Sequence, residues 1–256
     1  AIGGPRSESL LAGALLLLEL VQHAKVERFW VSDRALREGL VLAAVGRGLG
    51  ETSARDDPRR RQVLRLAERT ESVLDHNRQT ARLAVRLFDL TVSLHQLGAR
   101  EREWLEYAAL LHDIGYSIQY RGHHRHSYYL ILHGSFDAFD PSEVEIIASV
   151  ARFHRGAAPR SSHPALARLE PWQRKTVRKL SALLRVADAL DRTHASRVED
   201  LFCSIGKKRV VLEVMSGFAV DLELEAAGLH GALFERVFDR RLRLRQGLET
   251  AEAPSR

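Results

Sequence analysis

Cysteine is nearly missing from this chain. Cys203 stands alone among 256 residues, so no disulfide can join two parts of it. That suits a reducing compartment. Lysine is scarce too: of the 39 basic residues only five are Lys and 34 are Arg. Methionine occurs once, as Met215, and residue 1 is Ala. The expectation is a chain that has lost its original start. Long apolar runs are also absent. The longest, Leu10–Leu18, closes at Glu19, whereas a membrane-spanning helix needs about 20 residues. Gln22-His23-Ala24-Lys25 after it offers no small-residue cleavage site. The run therefore reads as a buried helix of a cytoplasmic protein with no membrane partner. The lack of a basic tail or a basic–aromatic ladder argues against a nucleic-acid partner.

What the chain does contain is a globular composition, 45% hydrophobic and 28% charged. Its length fits one large domain or two modest ones. A net charge of +6 favours anionic partners. The Arg excess adds the capacity for planar, bidentate phosphate contacts.

Residues 7–24 read as an apolar helix, Val26–Val31 as a strand, and Arg34–Val45 as a helix capped by Ser32-Asp33. One strand has no sheet to join, so residues 1–46 read as the end of a larger α/β domain. Gly46, Gly48, Gly50 and Pro58 mark a linker over 47–58. Helices are then expected over 59–71, 74–97, 101–114, 127–132, 142–153 and 172–191, with a loop over 155–171. Gly115 is expected to stop the third of these. From Val198 the period falls toward two. Val198–Ser204, Arg209–Met215 and Phe218–Leu224 read as an antiparallel meander. A helix over 229–238 and a loose tail after Gly247 follow. The expected fold class is mostly α, with a helical domain over 59–195 and a β-meander and helix over 196–256.

Five histidines fall between 112 and 133: His112, His123, His124, His126 and His133. The pair His112-Asp113 ends an apolar helix. Imidazole and carboxylate together suit divalent Mn, Fe, Co, Ni or Zn, and the carboxylate also accepts Mg. Neighbours on a helix point about 100° apart, so other helices must close the shell. His76, early in a long helix, is one candidate. Asp188 is another, because it lies among Leu183, Leu184, Val186, Ala187, Ala189 and Leu190. A carboxylate there is costly unless it is paired or bound to a metal.

The order His76, His112-Asp113, Asp188 resembles the HD superfamily of metal-dependent phosphohydrolases. The surroundings resemble the C-terminal half of the exopolyphosphatase/guanosine pentaphosphate phosphohydrolase (Ppx/GppA) family. The segments that carry this likeness are Leu110-Leu-His-Asp-Ile-Gly-Tyr116, Gly122-His-His-Arg-His-Ser-Tyr-Tyr-Leu-Ile131, Ala151-Arg-Phe-His-Arg-Gly156 and Leu184-Arg-Val-Ala-Asp-Ala-Leu-Asp-Arg192. Leu11-Ala-Gly-Ala14 and Val31–Leu40 are similar to the last elements of that family's actin-like phosphatase domain.

The resemblance implies His76, His112, Asp113 and Asp188 as metal ligands, with His126 and His154 on a second ion. It implies His112 and Asp113 as the candidate catalytic pair. Arg125, Arg155 and Arg192 would neutralise phosphate, and Asp191 would support the shell from behind. His123 and His124 are lesser candidates. Tyr116 stands where HD enzymes often carry Lys. The implied whole protein hydrolyses phosphoanhydride bonds of polyphosphate or guanosine pentaphosphate and pairs with a second copy. The phosphate loops of the actin-like lobe lie outside these 256 residues. Two other readings stay open: a non-catalytic basic module for polyphosphate or nucleotide binding and dimerisation, and a free-standing HD nucleotide phosphohydrolase.

Overall fold

The computed structural model describes residues 7–25, 57–70 and 74–247. The chain divides into two units, Ala1–Ser53 and Ala54–Arg256. In the first, α1 runs Ser7–Ala24, over the residues expected to be helical. The strand and helix expected over 26–45 lie outside the described residues. No helix among the described residues is long and apolar enough to cross a membrane.

The second unit opens with α2 (Pro58–Arg69), α3 (Leu74–Leu90), α4 (Val92–His95) and α5 (Ala99–Leu111). Asp57 caps α2, its Oδ1 accepting from the Arg59 amide at 2.9 Å, with Pro58 in the first turn. On α3, His76, Thr80, Leu83, Ala84 and Leu87 share the buried stripe, at steps of three and four. His76 is thus drawn inward with the core leucines.

The helix α5 ends at Leu111, with His112 at its C-cap, and a 3-10 turn follows over Ile114–Ser117. Gly115 therefore does not stop the helix as expected. Its role is close approach. Gly115 N donates to Ser127 Oγ at 2.9 Å, and that hydroxyl donates to His112 O at 2.6 Å. A Cβ at position 115 would fall on the His123 carbonyl oxygen and within 2.6 Å of the Ser127 amide nitrogen. Gly115→Ala should destabilise the chain by about 1–3 kcal/mol, as overpacking against backbone does. Urea denaturation of the variant checks this, and an unchanged midpoint would refute it.

Next come α6 (His123–Leu132), α7 (Pro141–Arg152), the short α8 (Pro164–Ala167) and α9 (Pro171–Ala189). The α6 helix begins four residues before the expected start, behind Gly122 at φ +80°. A capping box starts α7: Asp140 Oδ1 accepts from Ser142 N, and Glu143 Oε2 accepts from Asp140 N. The α9 helix is the central element, packing on α3, α5 and α7. Its Leu180, Leu183, Leu184, Val186 and Ala187 are fully buried.

Strands β1 (Asp200–Ile205) and β2 (Arg209–Met215) pair antiparallel, with Cys203 opposite Leu212. The expected third strand, Phe218–Leu224, does not form. Asp221 opens α10 (Asp221–His230), with Asp221 and Glu223 in its first turn, where the helix dipole favours them. A second helix, α11 (Ala232–Phe238), follows. The third strand is β3 (Arg241–Gln246), parallel to β2. The two helices supply the crossover that a parallel pair requires. The mostly helical class with a small C-terminal sheet holds, while the all-antiparallel meander is replaced by this mixed sheet. The tail after Gly247 lies outside the described residues.

Candidate metal centre

Four helices and one turn bring four imidazoles and two carboxylates to one point. His76 comes from α3 and His112-Asp113 from the end of α5. His123 starts α6, His154 follows α7, and Asp188 sits in the last turn of α9. Asp113 lies between two histidine pairs. Its Oδ2 is 3.4 Å from His112 Nε2 and 3.9 Å from His76 Nε2. Its Oδ1 is 3.2 Å from His123 Nε2 and 3.5 Å from His154 Nε2. Asp188 Oδ1 faces the first pair, 3.3 Å from His76 Nε2 and 3.4 Å from His112 Nε2.

The other ring nitrogen of each histidine is already engaged. His112 Nδ1 donates to Ala109 O at 2.7 Å, His154 Nδ1 to Ala151 O at 2.7 Å, and His123 Nδ1 to Tyr120 O at 3.0 Å. His76 Nδ1 donates to Asp191 Oδ2 at 2.8 Å. A carbonyl or carboxylate can only accept, so each Nδ1 carries a proton and Nε2 is the nitrogen that faces the cluster. All four Nε2 lone pairs then point into a pocket that also holds two carboxylates. The His123 and His154 Nε2 atoms face each other at 3.2 Å. His112 Nε2 and Asp113 Oδ1 are buried without a hydrogen-bond partner. Such a set of facing lone pairs calls for a cation between them, a proton or a metal ion. Two groups have ligand atoms close enough to share an ion: His76, His112 and Asp188, and His112, Asp113 and His154.

The electrostatics agree. Burial works against protonation of His76, yet Asp188 and Asp191 hold its pKa up at about 9. Burial also opposes protonation of His112, and Asp113 and Asp188 outweigh it. Despite the cost of burial, His112, His123 and His154 keep Asp113 well below the usual carboxylate range. His112 and His76 do the same for the half-buried Asp188. Burial and the adjacent His112 push His154 down to about 3. The Nε2 positions of His76 and His112 are thus places for which a proton and a metal ion would compete.

Beside the His–Asp cluster a cleft of about 280 Å³ opens, reaching Asp113 and Asp188. Its walls include Tyr116, Tyr120, Arg155, Arg192, His194 and His230. Tyr116 stacks on His123, with ring centroids 4.1 Å apart. His194 stacks on His76 at 3.8 Å.

Of the residues expected from sequence, His76, His112, Asp113, Asp188 and His154 converge, with Asp191 behind His76. Arg155 and Arg192 line the cleft. Two expectations require correction. His126 is half-buried and does not join the cluster; His123 takes the place beside His154. The inward face of α6 carries His123, Ser127 and Ile131, four residues apart, and position 126 lies off that stripe. Arg125 is exposed in the same first turn and is not part of the cleft lining.

Sequence reasoning gave no role to Arg185. Its Nε donates to Phe153 O at 2.7 Å, and its Nη2 donates to Gly156 O at 2.9 Å and Ala157 O at 3.1 Å. It pins the loop on both sides of His154-Arg155. The signal was present: like Asp188, Arg185 is a charged residue inside the apolar run of α9.

The fold and centre agree with comparison to known families. Residues 59–231 match the family model described as Ppx/GppA phosphatase, domain III. That match spans the helical domain, all six converging side chains and the first two strands. The chain belongs to the Ppx/GppA phosphatase family.

Proposed function

We propose that this chain is the C-terminal part of an exopolyphosphatase or guanosine pentaphosphate phosphohydrolase. In this reading its His–Asp centre holds divalent metal, Mg, Mn or another first-row ion, and acts on a phosphorylated substrate. The observation that carries the reading is the convergence of four imidazoles on two carboxylates, each Nδ1–H being already committed. A divalent ion held there would supply Lewis acidity, polarising a phosphoryl oxygen and lowering the pKa of a bound water.

The chain's own groups do the rest. His76, His112, Asp113 and Asp188 would hold one ion. The other Asp113 oxygen, with His123 and His154, would hold a second. Asp191 fixes the ligand tautomer of His76. Arg155 and Arg192, on the cleft wall, bind substrate phosphate. Tyr116 and Tyr120 narrow the entrance beside them. Residues 1–46 belong, in this proposal, to the actin-like domain of the whole protein, with 47–58 as the linker.

The test is phosphate release from tripolyphosphate by this chain. Turnover should require Mn²⁺ or Mg²⁺. It should fall at least about 100-fold in Asp188→Asn, since even outer-shell changes cost 10–100-fold. Equal turnover by the variant would overturn the reading.

A further inference from the structure

The loop that joins α9 to β1 folds back over His76. Asp191 Oδ2 accepts from His76 Nδ1 at 2.8 Å, and Asp191 Oδ1 accepts from the Ser196 amide at 2.8 Å. His194 lies flat on His76, with ring centroids 3.8 Å apart and planes within 2° of parallel. A carboxylate and a ring of one loop thus grip the same imidazole. His194 is itself exposed, whereas His76 beneath it is buried.

The backbone is bent to reach this arrangement. His194 sits at φ +55° and Ser196 at φ +49°. Five non-glycine residues have positive φ among the described residues, and these are two of them. The left-handed region is unfavourable for an L side chain, so the surroundings must hold the loop there.

One hold comes from α10, which packs on α9. The Thr193 hydroxyl, next to His194, donates to Glu223 Oε1 at 2.5 Å, the length of a charge-assisted bond. Glu223 is 1% exposed, and its Oε2 is buried with no hydrogen-bond partner among the described residues. A carboxylate is costly in such a place. One bond to a threonine is a small return for the fold alone. What that bond secures is the loop over His76.

We propose that Glu223 is a positioning residue for the His–Asp centre. Through Thr193 it keeps Asp191 and His194 on the His76 ring, and so holds His76 Nε2 toward Asp113 and Asp188. The C-terminal helix α10 is then part of the centre's support, although it contributes no side chain to the cluster itself. The effect on metal affinity rests on the reading of the centre as a metal site; the grip on His76 does not.

Two measurements on the whole chain test this. The first is proton NMR of the metal-free protein. The His76 Nδ1–H resonance, identified by its loss in His76→Gln, should be present in wild type and Glu223→Gln, which keeps an acceptor for Thr193. It should be lost to exchange with water in Glu223→Ala and Thr193→Val. The His112 Nδ1–H, bonded to Ala109 O, should persist in all of them and so report that the domain is folded. The second is titration with Mn²⁺. Glu223→Ala and Thr193→Val should each weaken binding about ten-fold, the low end for outer-shell changes. The double variant should lose no more than either single one, because both cut the same link. Thr193→Val, nearly isosteric, carries the test should Glu223→Ala fail to fold. A His76 resonance unchanged in the folded variants would overturn the proposal. So would Mn²⁺ affinities within about two-fold of wild type once that resonance is lost. A wild type that binds no Mn²⁺ would instead refute the metal reading, and the NMR comparison would still decide the grip.

Discussion

Asp113→Ala will strip the chain of metal at both positions at once. Its two oxygens face different histidine pairs, Oδ2 toward His76 and His112 and Oδ1 toward His123 and His154. No other side chain in the centre does this. Outer-shell changes at metal sites cost 10–100-fold in affinity, so removing a carboxylate that faces both histidine pairs should cost more than about 100-fold. His123→Ala should be milder, losing one equivalent and keeping the other. His126→Ala should lose none, because that ring lies off the inward face of α6. Elemental analysis of the purified variants after dialysis gives the three values. Equal losses in His123→Ala and His126→Ala would contradict the assignment of His123.

The second large effect lies away from the centre, at Glu143. Its side chain is almost fully buried and ties α2, α5 and α7 together. Arg59 donates to both its oxygens, at 2.9 and 3.1 Å. Arg100 Nε donates at 3.0 Å, Trp104 Nε1 at 2.9 Å and Asp140 N at 3.0 Å. Removing Glu143 leaves the Trp104 N–H and the Arg100 guanidinium without their acceptor and Arg59 with Glu103 as its one carboxylate. Glu143→Ala should therefore cost about 3–5 kcal/mol in stability. A denaturant midpoint within experimental error of wild type would contradict this.

The same residue makes stability depend on pH. Burial raises the Glu143 pKa, but Arg59, the Asp140 amide, Arg100 and Trp104 outweigh it and hold it down to about 2, from 4.5. A depressed carboxylate contributes its full share above the unfolded pKa. That share fades as pH falls from 4.5 toward about 2. Wild type should lose stability over this window, and Glu143→Gln should show a shallower loss there.

Much of the centre is legible in the sequence because its residues violate local rules. Asp188 interrupts an apolar helix, and His76 shares a stripe with Leu83 and Leu87. Each is expensive where it stands unless it has a ligand or a partner, and that cost marks it. His123 over His126 is not legible in this way. Which of the two turns inward depends on where α6 begins, and Gly122, at positive φ, starts it four residues before the apolar run at Ser127. That first turn, His123-His124-Arg125-His126, is polar throughout, so periodicity gives no phase.

The C-terminal sheet failed for a related reason. Phe218–Leu224 alternates well enough to read as a strand, but Asp221 and Glu223 suit a helix start equally well. The buried Val220, Glu223, Ala226 and Ala227 show a helical period instead. The strand that does form, Arg241–Gln246, alternates Arg with Leu242 and Leu244, which pack on the core. Its parallel pairing with β2 depends on a crossover that no local pattern reveals.

The central claim is that the His–Asp centre is a metal site. The most direct measurement is anomalous diffraction from crystals of the chain soaked in Mn²⁺. A peak is expected among His76 Nε2, His112 Nε2, Asp113 Oδ2 and Asp188 Oδ1, with a second beside Asp113 Oδ1, His123 and His154. Crystals that take up Mn²⁺ elsewhere and show no peak within reach of Asp113 would contradict the account.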